Sequence, residues 1–400
     1  MNGILFITAV MIIFAVFLSM DFYFGRRQHI KTAAATGFPP RKSDLELFTV
    51  GQHFYERLFE DIENSTHSVH VLFYIIKNDA DSESFLSLLQ KKAKQGISVR
   101  LLADYVGSHK LEKKKIQQLK ESGISFAFAH KPKWPFFFYS SQTRNHRKIT
   151  VIDGRTGYTG GFNIGKEYLG KDPKFGFWRD YHLRVTGEGV QDLQRQFLTD
   201  WNAASDEHSE EETGLFPSLS QGKFSHRFLT TPGKDLEKNF LTFVKEAKTE
   251  LLICSPYFIP GKKLMKALLN ARNRGVSVKI MVPMKADHPL VKEASFPYFG
   301  PLLKAGCDIY QYYYGFYHAK VIVVDDVFCD IGTANFDKRS LFLNDEFNCL
   351  IYDEAFISQL KLSVIKDMKS SAKLTLDHYN SRSFRQRVME KTASIVSYFL

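Results

Sequence analysis

Cysteine is scarce in this 400-residue chain: four residues, Cys254, Cys307, Cys329 and Cys349, all in the second half and none in a C-x-x-C pair. That scarcity excludes a disulfide framework and a thiolate zinc cluster. Cys254 and Cys349 sit in apolar runs, and the set reads as buried free thiols in a reducing compartment. Lys and Arg are absent from the first 25 positions. A secretory leader opens on positive charge, so this absence argues against one, although Ala33, Ala34 and Ala35 imitate a cleavage site. Acidic residues are also short, 43 against 54 Lys and Arg, for a net charge of +11. The imbalance favours an anionic partner (lipid headgroups, nucleic acid or a phosphorylated metabolite) or is simply a solvated basic surface.

What is present begins with an uncharged apolar run, Ile4 to Met20, extended by Phe22, Tyr23 and Phe24 past a single acid, Asp21. About 20 apolar residues cross a bilayer as a helix, with aromatics at the interface. Arg26, Arg27, Lys31, Arg41 and Lys42 follow. The expectation is a single-pass anchor over 1–24 in the cell membrane, with the remainder cytoplasmic by the positive-inside rule.

With 44% hydrophobic and 24% charged residues, the remainder should fold as globular structure. NAASDEHSEEETGLFPSLSQG, after Trp201, is acidic, polar and broken by Gly and Pro, and reads as an exposed linker over 203–223. It separates two stretches, 45–202 and 224–400, that resemble one another. SVHVLFYIIK and QGISVRLLAD in the first match TELLICSPYFI and RGVSVKIMVP in the second, with an amphipathic stretch between each pair. Short β-rich runs alternating with helical patterns predict an α/β fold with a largely parallel sheet, duplicated within the chain.

The duplication carries chemistry. NHRKITVIDGRTGYTGGFN (145–163) and YHAKVIVVDDVFCDIGTAN (317–335) share five positions: His, Lys at +2, Asp at +7, Gly at +14 and Asn at +17. Thirteen histidines should produce only about 0.05 chance matches to H-x-K-x4-D at ordinary composition. On a strand, residues i and i+2 share a face, so His146 projects with Lys148 and His318 with Lys320. Asp153 and Asp325 have odd parity and precede a turn, so they should point away and brace the loop. Two His, two Lys and the amides of Asn163 and Asn335, converging from two halves, make a pocket for a phosphodiester. One His can attack phosphorus while the other protonates the leaving oxygen, with the lysines meeting the equatorial charge. A lysine beside each His on one face repels a cation, so neither a metal nor another cofactor is expected. His67, His70, His109, His130 and His226 read as ordinary core or surface residues.

At these residues the chain resembles the phospholipase D superfamily, from about residue 50 to 400. It is most similar there to bacterial cardiolipin synthases, through GGFNIGKEYLG (160–170), FWRDYHLRVTG (177–187), SPYFIPG (255–261) and NFDKRSLFLNDEFN (335–348). The resemblance implies two tandem phospholipase D-like domains forming a pseudo-dimer with one shared active site. It also implies a phosphohistidine intermediate and no metal. The family's catalytic residues carry onto His146, Lys148, Asp153, His318, Lys320 and Asp325, with Asn163 and Asn335 as substrate-binding residues and Glu346 orienting His318. One departure is that related synthases often begin with two apolar spans, and this chain shows one.

The implied activity is transfer of a phosphatidyl group between two phosphatidylglycerols, in a membrane and without nucleic acid. A phospholipase D-type phosphodiesterase using water or another alcohol, a membrane-bound nuclease and a non-catalytic lipid-binding scaffold are the alternatives. The resemblance implies His146 as the nucleophile, and Arg144 and Arg147, which flank it, should depress its pKa and favour the neutral, attacking form. KPKWPFFFY (131–139) fits either the membrane interface or the seam between the halves. The last helix-like stretch, with Phe384, Val388, Ile395 and Phe399, fits either a bilayer surface or the core.

Overall fold

The computed structural model describes residues 2–33, 37–205 and 214–400. Ala34, Ala35 and the middle of the expected linker, 206–213, lie outside them. The first half holds strands β1 (Arg41–Val50), β2 (Ser68–Phe73), β3 (Ser98–Asp104), β4 (Ser125–Ala129), β5 (Arg144–Asn145), β6 (Ile149–Ile152), β7 (Thr156–Gly160) and β8 (Phe177–Gly187). The second half repeats them as β9 (Phe224–Pro232), β10 (Glu250–Cys254), β11 (Ser277–Pro283), β12 (Asp308–Tyr312), β13 (Gly315–Tyr317), β14 (Val321–Val324), β15 (Phe328–Gly332) and β16 (Asn344–Ile351), and adds β17 (Ser371–Lys373).

Hydrogen-bonded neighbours run β4-β3-β2-β6-β7-β8-β1 in the first half. The second runs β9-β16-β15-β14-β10-β11-β12-β17. The sheet is less parallel than expected. Within each half only β2-β3-β4 and β10-β11-β12, the strands joined by helical crossovers, are parallel. Of the strands that follow, β6-β7 and β14-β15 are joined by tight turns, and such short connections oblige antiparallel pairing.

Burial follows the period-two rule. Val69, Val71 and Phe73 of β2 pack under helices Gly51–Glu63, Ala80–Lys94 and Lys113–Glu121, while Leu72 faces a central cluster. That central cluster joins both sheets and includes helix Gly189–Ala204, through Leu193, Phe197 and Trp201, and helix Glu354–Lys369, through Ile357, Leu360 and Val364. The second half has its own outer layer under helices Leu236–Glu246, Gly261–Asn273 and Val291–Lys304. Local chemistry agrees with the layers. In helix Ala80–Lys94, Asp79 caps the N-terminus by accepting the Ser82 N–H, with acids in the first turn and lysines in the last, the arrangement a helix dipole favours. All four cysteines are buried and free.

The halves are sewn together at three places. β1 pairs with β9 through Arg41–Ser43. β5, which leads into the first motif, lies along β16 of the second half. β13, which leads into the second motif, lies along β8 of the first.

The N-terminal helix Asn2–Thr32 runs past the expected end at residue 24. Its stretch 3–20 is exposed, and among the described residues it is the one helix long and apolar enough to cross a membrane. Beyond Met20 it docks on the globular part. Asp21 is buried and accepts the Tyr139 N–H at 2.8 Å, and Phe22 packs on Phe138, Tyr139, Tyr398 and Phe399. The aromatic loop therefore packs on this helix rather than in the seam between the halves, leaving Trp134 75% and Phe137 49% exposed. β1 opens at Arg41, ahead of the expected domain start at 45. Leu215 is buried in the central cluster, so the end of the expected linker is anchored. The C-terminal helix Phe384–Val396 combines its two expected placements. Ala393 is buried against the globular part, while Phe384 and Ile395 are each 83% exposed.

Candidate active site

The two motifs fold alike. Each His stands just ahead of a short buried strand, β6 or β14, and each Lys follows it by two residues. His146 and His318 are only 6% and 7% exposed, and Lys148 and Lys320 are buried. Lys148 donates to the His146 carbonyl at 2.7 Å, and Lys320 donates to the His318 carbonyl. Each lysine is thus folded back over its own histidine. The lowering that Lys320 exerts on the His146 pKa brings the two half-sites into one electrostatic environment.

Strand crossing sets the partners of the histidines. The His146 N–H bonds to the Asp345 carbonyl at 2.9 Å, and the His318 N–H to the Arg179 carbonyl at 2.7 Å. The residue after each of those carbonyls is a carboxylate that takes the ring. Glu346 accepts from His146 Nδ1 at 2.9 Å, and Asp180 accepts from His318 Nδ1 at 2.6 Å. The expectation that Glu346 orients His318 is therefore wrong: it serves the other half's histidine. The physical reason is that β5 and β13 leave their own sheets to lie on β16 and β8.

Asp180, the counterpart, was missed from sequence. The pairing registers reveal the equivalence. Gly160 pairs with His182 and Gly332 with Asn348, so Asp180 and Glu346 lie two residues before matched positions. With Nδ1–H given to a carboxylate, each neutral ring presents Nε2 for chemistry. Among the described residues His146 Nε2 has no hydrogen-bond partner, whereas Lys320 Nζ stands 3.2 Å from His318 Nε2.

Burial lowers the pKa of both histidines to about 4, against the upward pull of Glu346 on one and Asp180 on the other. Nearby lysines push the same way as burial. Arg144 and Arg147, expected to do this, do not. Arg147 is taken up by Asp200 at 2.6 Å and Asp345 at 3.3 Å, and Arg144 donates to the Ser141 and Thr143 carbonyls. Burial also lowers Lys148 to about 7 and Lys320 to about 8, again against Glu346 and Asp180. For Glu346 and Asp180, burial opposes ionisation, but the facing cations outweigh it and hold both below the usual range. The unliganded site thus holds neutral rings, ionised carboxylates and lysines close to losing their charge.

Asp153 and Asp325 stand apart from this cluster. Each occupies a left-handed turn, at φ 54° and 52°, a conformation Asp tolerates better than most residues. Asp153 accepts the N–H groups of Thr66, His67 and Ser68, and Asp325 those of Lys248, Thr249 and Glu250. These bonds outweigh burial and keep both below the usual carboxylate pKa. They brace the start of β2 and β10.

Asn163 accepts the Ile75 N–H at 3.1 Å, its amide nitrogen 3.4 Å from the Tyr168 hydroxyl, while Asn335 Oδ1 is buried with no partner among the described residues. The walls are aromatic, which the sequence reading did not single out. Tyr74 lies edge-on to His146 at 4.8 Å, and Trp178 and Tyr257 lie 5.0 and 6.4 Å from His318. Tyr74 follows β2 directly, and Tyr257 stands three residues after β10. Such walls exclude water around two nucleophile–acid candidates and two cationic groups.

Comparison with known proteins bears on the same residues. The family model for the cardiolipin synthase phospholipase D-like domain matches residues 58–201 and 240–368. A minor cardiolipin synthase of Bacillus subtilis is 48% identical over 400 residues, covering all of both chains. A cardiolipin synthase of Staphylococcus aureus is 39% identical over 361 residues, 89% of this chain and 73% of that one. Among solved structures, a phosphatidylserine synthase of Haemophilus influenzae superposes with a TM-score of 0.71 at 17% identity. It covers 94% of this chain and 99% of that chain, a likeness of fold.

Proposed function

This chain belongs to the cardiolipin synthase family of phospholipase D-like proteins, and on that premise we propose that it makes cardiolipin and glycerol from two phosphatidylglycerols. The observation that carries the chemistry is the pair of buried histidines, each with Nδ1 fixed by a carboxylate of the other half. His146 attacks phosphorus through Nε2, and His318 gives a proton to the departing glycerol oxygen as the P–O bond breaks. The phosphatidyl group then sits on His146. A hydroxyl of the second phosphatidylglycerol loses its proton to His318 and attacks phosphorus, releasing His146 and restoring both rings.

His146 is assigned the attack because its Nε2 has no hydrogen-bond partner among the described residues, whereas Lys320 Nζ lies against the His318 ring, 2.7 Å from Nδ1 and 3.2 Å from Nε2. A bound phosphodiester anion raises the pKa of His318, so that the ring takes up a proton and can act as the acid. Lys148 and Lys320 meet the charge on the equatorial oxygens. Asn163 and Asn335 bound the pocket, and Asp153 and Asp325 hold the strands beneath it. Arg26, Arg27 and Lys31, directly after the apolar stretch, support a cytoplasmic globular part by the positive-inside rule.

The test uses full-length protein in vesicles with headgroup-labelled phosphatidylglycerol. Cardiolipin and free glycerol in equal amounts are expected; phosphatidic acid as the main lipid product would make the protein a hydrolase. Substitution of either His146 or His318 by Ala should abolish turnover, and rapid quench should place the phosphatidyl label on the His146 peptide.

A further inference from the structure

Outside the apolar stretch of the N-terminal helix, the three most exposed large apolar side chains among the described residues are Phe384 and Ile395, each 83%, and Trp134, 75%. The reaction uses none of them, yet they are not scattered. Trp134 belongs to the aromatic loop, whose Phe138 and Tyr139 pack on Phe22. Phe384 and Ile395 belong to the C-terminal helix Phe384–Val396, and Tyr398 and Phe399 just after it pack on the same ring at 5.6 and 5.4 Å. Both elements therefore meet the N-terminal helix at the level where its apolar stretch ends.

The C-terminal helix is held along one face. Ala393 is fully buried with Ile259, Val291 and Ala294. At its end, Lys338 donates to the Ser397 hydroxyl at 2.8 Å and Arg339 to the Phe399 carbonyl at 2.9 Å. At its start, Ser383 and Gln386 form a capping box, so the helix is set before anything covers its outer side. At about 100° per residue, Phe384, Val388 and Ile395 fall within an arc of about 40° that points away from Ala393. Arg385 lies on one side of that arc and Arg387 and Lys391 on the other, all exposed. Glu390, the one acid of the helix, turns inward and pairs with Arg382 at 2.7 and 2.8 Å.

Charge and position together choose the occupant. Apolar side chains rimmed by Lys and Arg are the pattern of a helix lying in a bilayer surface, with the cations on lipid phosphates. A second copy docked face to face would set these cations against their own counterparts. The far end of the helix is already fixed beside Phe22, where the anchor leaves the hydrocarbon.

We propose that the outer face of the C-terminal helix is a second membrane contact, seated in the headgroup layer of an anionic leaflet beside the anchor. One spanning helix leaves the globular part free to tilt with it. A second contact along a helix about 20 Å long fixes that tilt. The proposal rests on the membrane-spanning reading of the N-terminal helix, not on the assignment of the reaction.

The experiment uses full-length protein in mixed phosphatidylcholine and phosphatidylglycerol vesicles. The four native cysteines are buried, so one added cysteine takes a nitrobenzoxadiazole fluorophore selectively. Labels on Phe384→Cys, Val388→Cys and Ile395→Cys should be quenched by lipids carrying a nitroxide near the headgroup and shielded from aqueous iodide. A label on Ser394→Cys, about 100° round the helix from Ile395, should show about twofold less lipid quenching. Phe384→Gln with Ile395→Gln should open the Val388→Cys label to iodide and leave the thermal midpoint unchanged, because neither side chain is packed. Arg385→Gln with Lys391→Gln should weaken lipid quenching at Ile395→Cys about twofold. Iodide quenching at all three outer positions overturns the proposal. So does shielding from iodide without lipid quenching, which would mean that protein covers the face. A label on Ile13→Cys, read with a nitroxide deep in the acyl chains, tests the anchor separately. Quenching there with none at Ile395→Cys overturns this proposal alone; no quenching at either overturns both. Turnover in the same vesicles reports independently on the reaction.

Discussion

Lys148 and Lys320, at about 7 and about 8, titrate in the physiological range, and the direction of their effect is fixed. Raising the pH removes positive charge before substrate arrives, first from Lys148 and then from Lys320, so kcat/KM should fall above about pH 7. A bound phosphodiester raises the same pKa values, so the alkaline limb of kcat should lie at higher pH. Initial rates across pH 5 to pH 10 check this, and a kcat/KM profile flat to pH 9.5 would sink it. Asp180→Asn keeps shape but cannot hold His318 in one tautomer; a loss of roughly 10²–10⁴-fold in kcat with little change in KM is expected, by analogy with carboxylate–histidine pairs elsewhere. Turnover should survive EDTA because the lysines supply the charge; activity lost to chelation and restored by one divalent ion would refute this. At this scale the sequence was informative about His146, Lys148, His318 and Lys320, because a +2 spacing on a strand is a local rule. It was silent on Asp180 and misleading on Glu346, because those partners depend on which strands cross.

Turns matter as much as strands in this fold. Asp153 and Asp325 each combine a left-handed backbone with bonds to three successive N–H groups. The motif aspartate therefore acts on an element, the start of β2 or β10, rather than on substrate. Asp153→Ala should cost about 1.5–3 kcal/mol of stability, the usual worth of hydrogen bonds to a charged group. Thermal unfolding should show a lower midpoint, while protein that stays folded keeps its KM; an unchanged midpoint with lost turnover would place Asp153 in the chemistry after all. Odd parity and a following turn-like pair, Asp153-Gly154 or Asp325-Asp326, made this bracing role legible in the sequence. The antiparallel strands were less so. β6 and β14 read as short apolar runs, and apolarity alone does not give direction, while β7, β15 and β16 mix polar and apolar residues without a clear period. Nor did periodicity announce that the N-terminal helix continues to Thr32, since its last turns are polar outward and packed inward through Asp21, Phe22 and Gly25.

On the scale of the whole molecule, three strand pairings and one shared hydrophobic cluster join the halves. A covalent link between them is therefore not what assembles the site. A protease site introduced between Ala204 and Gly214 should allow complete cleavage with the fragments still co-purifying and most activity kept. Separation of the fragments on cleavage would show that the seam is too weak to hold the site. The crossing of β5 and β13 also bears on how such a chain changes over generations. Neither copy of the duplicated unit owns a complete histidine–carboxylate pair, so damage to β16 strikes the first motif and damage to β8 strikes the second. Selection then sees the two copies as one locus: neither can decay into an inert support while its twin carries on, and an improvement in either must be tolerated by the other.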